Sequence, residues 1–413
     1  MSILISHATG NRNVRSVIAA LDKAGMLSQF NTTLAANPEH FWLTLLPSGI
    51  RQECLRRSFP VDFNRIKFFP WLELARMILP KLGYNSCVQH ECGWASVDAV
   101  YRNLDNHTSA GLSQVIEKFA IKAVYAYEDG ALETFQKAKD LGLKCVYDLP
   151  IAYWETGRRL MQAEAERLPN WAITLGGGIS DSDEKLLRKT KELELADMVV
   201  TPGEFVTRSL PDWSRNKHIH MAAFGTPSGS KVVSKMQDPN QPLRILFVGS
   251  MGQRKGLGDL FAAMKLLNNR NIELVVMGSL QASMEFYKNE FPLFTYEAGR
   301  PHEQVLALMR SCDVFCLPSI VEGRALVMQE AMSQGLPLII TPNTGGEDLI
   351  IKNKTGFLVP IDSPEAIAQK INWFYENRTM VNEMGREAQI HASKYTWDAY
   401  GDSIAEELKS LLT

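Results

Sequence analysis

Short apolar runs rich in β-branched residues alternate along the chain with longer segments whose apolar residues recur every three or four positions. In the first half, ILIS and AVYAY are followed by the helical patterns VRSVIAALDKAG and ALETFQKAKDLG. The second half repeats the alternation, with RILFVG, IELVVMG and DVFCLP each leading into a helical segment. This order predicts parallel sheets with crossover helices, an α/β fold.

A polar stretch separates the two halves. Residues 226–242, TPSGSKVVSKMQDPNQP, are rich in proline, glycine and serine, a composition typical of an interdomain linker. A chain of 413 residues is also long for a single hydrophobic core. We therefore predict two Rossmann-like parallel-sheet domains that face each other across a cleft, at residues 1–225 and 243–394.

Composition and charge exclude several classes of protein. The formal net charge is −2, which argues against a general nucleic-acid binder. The first ten residues lack the basic start and apolar core of a signal peptide, and no apolar run reaches the roughly 18 residues that span a bilayer. The six cysteines are too scattered for a disulfide framework. These features predict a cytoplasmic globular protein.

Two glutamates flank an apolar run in the stretch VEGRALVMQEAMSQGLPLIIT. Gly323 disfavours a helix through Glu322, whereas a helix can run from about Ala325 to Gln334 before a glycine. Glu322 then lies in the loop after a strand, and Glu330 lies on the helix. The carboxyl ends of parallel strands are where such sheets bind ligands. Both carboxylates are therefore candidates for contact with a ligand.

The first loop of the second domain, GSMGQRKGLGDL, places two cations at the same edge. Arg254 offers a planar fork and Lys255 a point charge, a pair that suits a diphosphate. The helix N-terminus near Ala325 offers unpaired backbone N–H groups to an anion, and Gly323 lets a ligand approach the backbone closely. Cations for phosphates and carboxylates for hydroxyls together indicate a nucleotide-sugar site.

Three stretches of the second half, FVGSMGQRKGLGDLFAAM, SCDVFCLPSIVEGRALVMQEAMSQGLPLIIT and TGFLVP, resemble the C-terminal domain of retaining glycosyltransferases of family 4 (glycosyl transferases group 1), which have the GT-B fold. The resemblance covers roughly residues 196–400. It implies transfer of a sugar from a nucleotide-diphosphate sugar to an acceptor hydroxyl with retention of configuration and without a metal or other cofactor. The closing YTWDAYGDSIAEELKSLL resembles the family's last helix, so residues 395–413 are predicted to cross back to the first domain.

The resemblance also implies a role for individual residues, with Glu322 as the catalytic residue near the reacting carbon of the sugar. The implied donor-site residues are Arg254, Lys255, Gly323, Ala325 and Leu326 for the diphosphate, Glu322, Gly323 and Arg324 for the sugar, Glu330 for the ribose, and Gly278 and Arg300 for the base. On the first domain, loops expected to face the cleft predict an acceptor side at Gly10, Glu128, Asp148 and Trp154.

Within the second half, the sequence departs from the family's usual pattern at residues 324 and 325. The family usually reads glutamate-glycine-phenylalanine-glycine-leucine, and here Arg324 and Ala325 take the third and fourth places, which leaves the donor sugar open. The implied acceptor is a glycan or a lipid-linked group, in surface-glycan or exopolysaccharide assembly. Two other functions remain open: a GT-B nucleotide-sugar epimerase and a catalytically silent sugar-nucleotide-binding protein.

Two motifs could hold a metal but favour other interpretations. DSD at residues 181–183 directly precedes a helical segment, where serine and aspartate serve as a cap. CVQHEC at residues 87–92 lacks the second pair of ligands that a zinc site needs. No metal site is therefore predicted. His7, at the end of the first strand, is either a structural or a cleft histidine.

Residues 51–81 carry seven basic and three acidic residues, and they include the apolar sequence FFPWLELARMILP. One interpretation is peripheral contact with anionic lipid, or with a lipid-linked acceptor, at the inner face of the membrane. The other is a first-domain helix that packs its apolar side on the sheet and keeps its basic flanks in water. The second interpretation is favoured.

Overall fold

The computed structural model describes residues 2–45, 48–176, 179–227 and 241–413. Most of the predicted linker, residues 228–240, lies outside the described residues. The first domain contains the strands β1 (Ile3–Ser6), β2 (Leu27–Thr32), β3 (Ile66–Phe68), β4 (Ala123–Tyr127), β5 (Lys144–Asp148), β6 (Met198–Thr201) and β7 (His218–Met221). The second contains β8 (Leu243–Val248), β9 (Ile272–Met277), β10 (Phe294–Glu297), β11 (Val314–Leu317), β12 (Leu338–Ile340) and β13 (Gly356–Leu358).

The helices flank both sheets. Those before the second domain are α1 (Arg12–Lys23), α2 (Ser48–Leu55), α3 (Trp71–Ile78), α4 (Val97–Phe119), α5 (Leu132–Asp140), α6 (Trp154–Arg167), α7 (Asp183–Leu195) and α8 (Glu204–Ser209). The others are α9 (Leu257–Leu267), α10 (Met284–Glu290), α11 (His302–Ser311), α12 (Leu326–Ser333), α13 (Pro364–Glu376), α14 (Arg378–Ala392) and α15 (Trp397–Leu411).

Every strand pair is parallel. The strand order is β3-β2-β1-β4-β5-β6-β7 in the first sheet and β10-β9-β8-β11-β12-β13 in the second. Central strands such as β1 and β11 are buried at every residue, because helices cover both faces of the sheets. The predicted α/β fold of two Rossmann-like domains is confirmed.

Helix α15 packs on the first domain although it ends the chain. Its residues Tyr400, Ile404 and Leu408 belong to the same hydrophobic core as Val14 and Ile18 of α1. Helix α1 buries one apolar stripe at helical spacing, and α15 covers it. The last helix thus joins the second domain back onto the first.

Helix α3 has an unusual distribution of burial. Its only buried residue is Glu73, which pairs with Arg76 at 2.6 Å, whereas Trp71 is 80% exposed and Ile78 is 49% exposed. The favoured interpretation, in which this helix packs its apolar side on the sheet, is therefore wrong for Trp71 and Ile78. Within the described part of the chain, no helix has the length and apolar character needed to cross a membrane.

Candidate active site

A cleft of about 690 Å³ lies where the carboxyl ends of the two sheets face each other. Ligand sites typically occupy about 300–1,000 Å³. The first domain contributes Asn11, Arg12, Asn13, Tyr127, Pro150 and Phe224. The second domain contributes Val248, Gly249, Ser250, Arg254, Lys255, His302, Val305, Glu322, Arg324, Ala325, Leu326, Val327 and Glu330.

The loop after β8 holds the two predicted cations in a short 3₁₀ turn, Gln253–Lys255. Gly256 ends the turn at φ +73°, and a Cβ there would overlap the carbonyl oxygen of Pro318. Glycine is therefore required at this position. The carbonyl of Arg254 accepts hydrogen bonds from the backbone of Ile320, at 3.0 Å, and Val321, at 3.3 Å. The cationic loop is thereby joined to the loop that carries Glu322.

Glu322 lies between the two cations. Its carboxylate contacts the Lys255 ammonium and lies 3.4 Å from a guanidinium nitrogen of Arg254. Burial and the neighbouring Arg254 lower the pKa of Lys255 to about 7. Burial also lowers the pKa of Arg254. In the free protein, Glu322 thus occupies a place where an anionic ligand would compete for the same cations.

Helix α12 begins at the cleft wall beside this cluster. Its N-cap residue, Ala325, has no side-chain cap, so the N–H groups of the first turn lack that partner. Leu326 and Val327 of this turn line the cleft. The positive end of the helix dipole therefore faces the same space as Arg254 and Lys255, an arrangement that favours bound anions.

Gly323 lies at the contact between the domains. A Cβ on this residue would overlap the carbonyl oxygen of Pro150, which belongs to the first domain and also lines the cleft. The absence of a side chain therefore allows the backbones of the two domains to come into contact. This role of Gly323 is separate from the predicted close approach of a ligand.

Glu330, one turn into α12, also lines the cleft. Burial raises the pKa of its carboxyl, and the charges of His302 and Arg12 act against that shift. The imidazole Nδ1 of His302 is 3.8 Å from the carboxylate. The sequence interpretation missed both partners, although each lies at the start of a helix whose N-terminus faces the cleft, α1 and α11.

Arg324 lies in the cleft wall with its side chain already bonded. Its guanidinium pairs with Asp348 at 2.7 Å and 3.0 Å, donates to the Gly345 carbonyl at 3.2 Å, and packs on the Tyr395 ring. The side chain is completely buried. In this arrangement, only the backbone of Arg324 is available to a donor sugar.

The two predicted base-binding residues do not line the cleft. The Gly278 carbonyl accepts a hydrogen bond from the Tyr296 hydroxyl at 3.2 Å. Arg300 pairs with Glu297 three residues earlier. Both follow strands of the second sheet, β9 and β10, and so border its ligand edge, where Gly278 packs directly against the cleft residue Gly249.

The four predicted acceptor-side residues are not among those that line the cleft. Glu128 is buried and pairs with Lys189 at 3.0 Å. Asp148 is buried, and burial raises its pKa to about 7. The indole of Trp154 donates to the Thr190 hydroxyl at 3.2 Å, and the carbonyl of Gly10 accepts from Arg15 at 2.7 Å.

The cleft wall of the first domain is built instead from Asn11, Arg12 and Asn13, directly after Gly10, and from Tyr127, directly before Glu128. These residues lie one to three positions from the predicted Gly10 and Glu128. Polar residues in the loop after β1 were the signal that could have identified them.

His7 lies behind this wall. It is buried, its Nδ1 accepts from the Thr9 N–H at 3.1 Å, and its ring centroid is 4.2 Å from that of Tyr127. Burial lowers its pKa to about 3, so the imidazole is neutral at physiological pH. The histidine is a structural support for the cleft residue Tyr127.

Two groups of side chains in the described ranges are close enough to share a metal ion: His90, Glu91 and Asp181, and Glu164, Asp259 and Asp362. A basic side chain of the protein pairs with a carboxylate of each group, since Lys185 lies 3.2 Å from Asp181 and Arg167 lies 2.8 Å from Asp259. The predicted cap is also present, since the Ser182 hydroxyl accepts from the Lys185 N–H at the start of α7.

Comparisons with known proteins show which proteins this chain is similar to. Residues 232–391 match the family model for glycosyl transferases group 1. A D-inositol 3-phosphate glycosyltransferase of Corynebacterium urealyticum is 26% identical over 229 residues, 52% of this chain and 51% of that protein. The putative colanic acid biosynthesis glycosyltransferase WcaL of Escherichia coli is 28% identical over 188 residues, 42% of this chain and 46% of that protein. The matches thus span about half the length of these relatives.

Solved structures match over the whole chain. Sucrose-phosphate synthase from Thermosynechococcus elongatus superposes with a TM-score of 0.63 at 17% identity, covering 100% of this chain and 99% of that chain. HepE of Anabaena in complex with UDP gives 0.61 at 14% identity, covering 99% and 100%. The fold is therefore GT-B. The predicted resemblance of the second domain to glycosyl transferases group 1 is confirmed.

Proposed function

We propose that the protein is a retaining hexosyltransferase that moves a sugar from a nucleotide-diphosphate sugar to an acceptor hydroxyl. The observation that carries the proposal is the cluster of Arg254, Lys255 and Glu322 at the N-terminus of α12, open to a cleft between two domains. In this proposal, Leu326 and the other residues of the first turn add backbone donors for the phosphates, and Glu330 binds the ribose.

The charges suit the departure of a nucleoside diphosphate. Negative charge grows on the diphosphate as the glycosidic bond breaks, and Arg254, Lys255 and the α12 dipole are fixed in place to stabilise it. Positive charge grows on the sugar ring at the same time, and the Glu322 carboxylate stabilises it, as carboxylates do in other glycosyl chemistry. Asn11, Arg12 and Tyr127 on the opposite wall are candidates for the acceptor side.

The nucleotide base, the biological setting and the acceptor are proposed from similarity to other proteins. HepE was solved with UDP and with UDP-glucose, and we propose a uridine donor on that basis. WcaL and the amylovoran biosynthesis glycosyltransferase AmsK of Erwinia amylovora are named for polysaccharide assembly, which supports a glycan or lipid-linked acceptor here.

The proposed reaction needs no metal and no cofactor. In this proposal, Arg254 and Lys255 take the place that a divalent ion would fill at a diphosphate, and each of the two carboxylate groups described above already pairs with a basic side chain. We expect UDP affinity and donor turnover to be the same in EDTA and in Mg²⁺. Loss of activity in EDTA, restored by Mg²⁺ or Mn²⁺, would contradict this part of the proposal.

Peripheral membrane contact through residues 51–81 is part of the same proposal. Trp71 and Ile78 of α3 face solvent, and the segment has a basic excess. Aromatic and apolar side chains beside basic ones suit the surface of an anionic bilayer.

We expect flotation with vesicles that contain phosphatidylglycerol to be reduced by Trp71→Ser. Trp213→Ser is the matched control, since Trp213 is also exposed, at 46%. Equal flotation of both variants, or self-association through α3, would contradict the contact.

A ligand survey tests the function as a whole. UDP, GDP, ADP and their sugars are compared by thermal shift, because a bound ligand raises stability by about 2.7 kcal/mol at a hundredfold excess over Kd. The selected donor is then incubated with and without cell-extract acceptors, and the products are followed by NMR. Donor isomerised without acceptor would indicate an epimerase, and binding without turnover would indicate a silent binding protein.

A further inference from the structure

Helix α6 reaches from the first domain to the second. At its start, the Trp154 indole donates to Thr190 at 3.2 Å and the Tyr153 N–H donates to the Ser209 hydroxyl at 2.8 Å, both within the first domain. A helix of 14 residues is about 20 Å long. Its far end therefore lies well away from this anchor, against the second domain.

That far end is fixed to the second domain by charge and by packing. Arg167 donates to Glu164 at 2.7 Å, and the same nitrogen donates to Asp259 of α9 at 2.8 Å. Trp171 follows in a 3₁₀ turn and is 3% exposed. Its ring packs edge-on against Phe286 and Phe261, so it is part of the second domain's core although it precedes that domain by some 70 residues in the sequence.

Gln253 connects this assembly to the cationic loop. It is completely buried, and every polar group of its side chain is bonded. Its amide nitrogen donates to Glu164 at 2.7 Å and to Asp259 at 2.9 Å, and its amide oxygen accepts from the Gly258 N–H at 2.9 Å. Its backbone N–H donates to the Thr174 hydroxyl at 2.9 Å. Two of these four partners, Glu164 and Thr174, precede the second domain.

The chemistry of the pocket requires a neutral donor at this position. Three carboxylates, Glu164, Asp259 and Asp362, surround the single guanidinium of Arg167. An amide satisfies two of the carboxylates and one backbone N–H at once, whereas a fourth carboxylate would add repulsion in a buried site.

We infer that Gln253 is a positioning residue through which α6 and the following turn set the place of Arg254 and Lys255. Gln253 directly precedes Arg254 within the same 3₁₀ turn, so its side chain fixes the backbone that carries both cations. The diphosphate site then depends on the arrangement of the two domains as well as on the second domain. The inference rests on the proposed function, because it takes Arg254 and Lys255 as the diphosphate ligands.

A double-mutant cycle on the full-length protein tests it. UDP, GDP or ADP, whichever the ligand survey selects, is titrated into the wild type, Gln253→Ala, Lys255→Ala and the double variant. We expect Gln253→Ala to weaken binding at least tenfold in the wild-type background and by a clearly smaller factor in the Lys255→Ala background, where only Arg254 remains to be positioned. Because Gln253 acts partly through Lys255, the losses of affinity caused by the two substitutions are non-additive. Glu164→Gln, which keeps a carbonyl acceptor for Gln253, should retain most of the affinity.

Glu192→Gln controls for a general loss of stability, since Glu192 is a completely buried carboxylate of the first domain bonded to the backbone of Asp129 and Ala131. We expect it to lower the melting temperature and leave the affinity unchanged. Additive losses for Gln253 and Lys255, or unchanged affinity in a folded Gln253→Ala protein, would overturn the inference. Unchanged affinity in both Arg254→Ala and Lys255→Ala would instead overturn the diphosphate site itself.

Discussion

Both domains bury charged side chains at the carboxyl ends of their sheets, but they use them differently. In the first domain, Arg188 pairs with Asp98 and with Asp129, and Lys189 pairs with Glu128, all inside the domain and away from the cleft. In the second domain, Arg254 and Lys255 share the carboxylate of Glu322 on the cleft wall itself. The first network connects helices to strands, whereas the second is open to a ligand.

The pKa values show why a perturbed group does not by itself identify a site. Burial raises the pKa of Glu192 to about 8, and its carboxylate accepts two backbone N–H groups at the start of α5. Burial lowers the pKa of Lys255 to about 7. The shifts are similar in size, but only Lys255 faces the cleft, so location decides which shift concerns function.

If the first-domain network is structural, breaking it should reduce stability and leave ligand binding intact. Lys189→Met removes the partner of the buried Glu128, and loss of one member of a buried pair costs roughly 3 kcal/mol. We expect a large decrease in melting temperature and an unchanged Kd for the nucleoside diphosphate below that temperature. Weaker binding by the folded variant would mean that this network also shapes the cleft.

Within the second domain, replacing Glu322 or Glu330 by glutamine should change different kinetic constants. In the proposed reaction, Glu322→Gln removes the charge that stabilises the sugar ring as the bond breaks, so we expect kcat to fall by about 10²-fold, a loss of about 2.7 kcal/mol. Because its carboxylate competes for the two cations in the free protein, affinity for the nucleoside diphosphate should rise. Glu330→Gln should raise KM for the donor and change kcat by only a few fold.

Steady-state kinetics and diphosphate titration on both variants measure this difference. Glu273→Gln is the control, since Glu273 pairs with Arg244 in the same domain and does not line the cleft. Equal kcat losses in the two cleft variants, or weaker diphosphate binding by Glu322→Gln, would contradict the roles assigned to them.

The lowered pKa of Lys255 predicts a smaller effect, a decrease in diphosphate affinity as the pH rises. A bound diphosphate favours the charged ammonium and raises its pKa above about 7, so binding takes up a proton at higher pH. Affinity should then fall between pH 7 and pH 9, by at most about tenfold per unit. Phosphate ionisation, with a pKa of about 6, is complete in this range. Lys255→Arg should bind with a flat pH profile, and an equally sloped profile would assign the proton to another group.

The second-domain site could be predicted because its signals are local. A strand, a loop with Arg254 and Lys255, and a glycine before a helix lie within a few residues of one another, and parallel strands bring such loops to one edge. The side chain of Arg324 could not be placed in the same way, because its partner Asp348 lies 24 residues later.

The cleft residues of the first domain were harder to predict, because their surroundings depend on residues distant in the sequence. The strand ends were predicted correctly, but the partner of Glu128 is Lys189, on a helix that follows much later in the chain. A displacement of one residue then separates the buried Glu128 from Tyr127 in the cleft wall. Trp171 precedes the second domain in sequence and belongs to that domain's core, a relation that no local pattern contains.

The central claim is that Arg254 and Lys255 bind the diphosphate of a nucleotide sugar without a metal. Calorimetric titration of UDP in EDTA, into the wild type and into Arg254→Ala and Lys255→Ala, tests it most directly, with Lys265→Ala as the control because Lys265 is an exposed lysine of α9 outside the cleft. Each charge-assisted contact contributes about 1.5–3 kcal/mol, so each cleft variant should weaken binding by at least about tenfold while the control binds like the wild type. Wild-type affinity in both cleft variants, or wild-type binding that requires a divalent ion, would contradict the account.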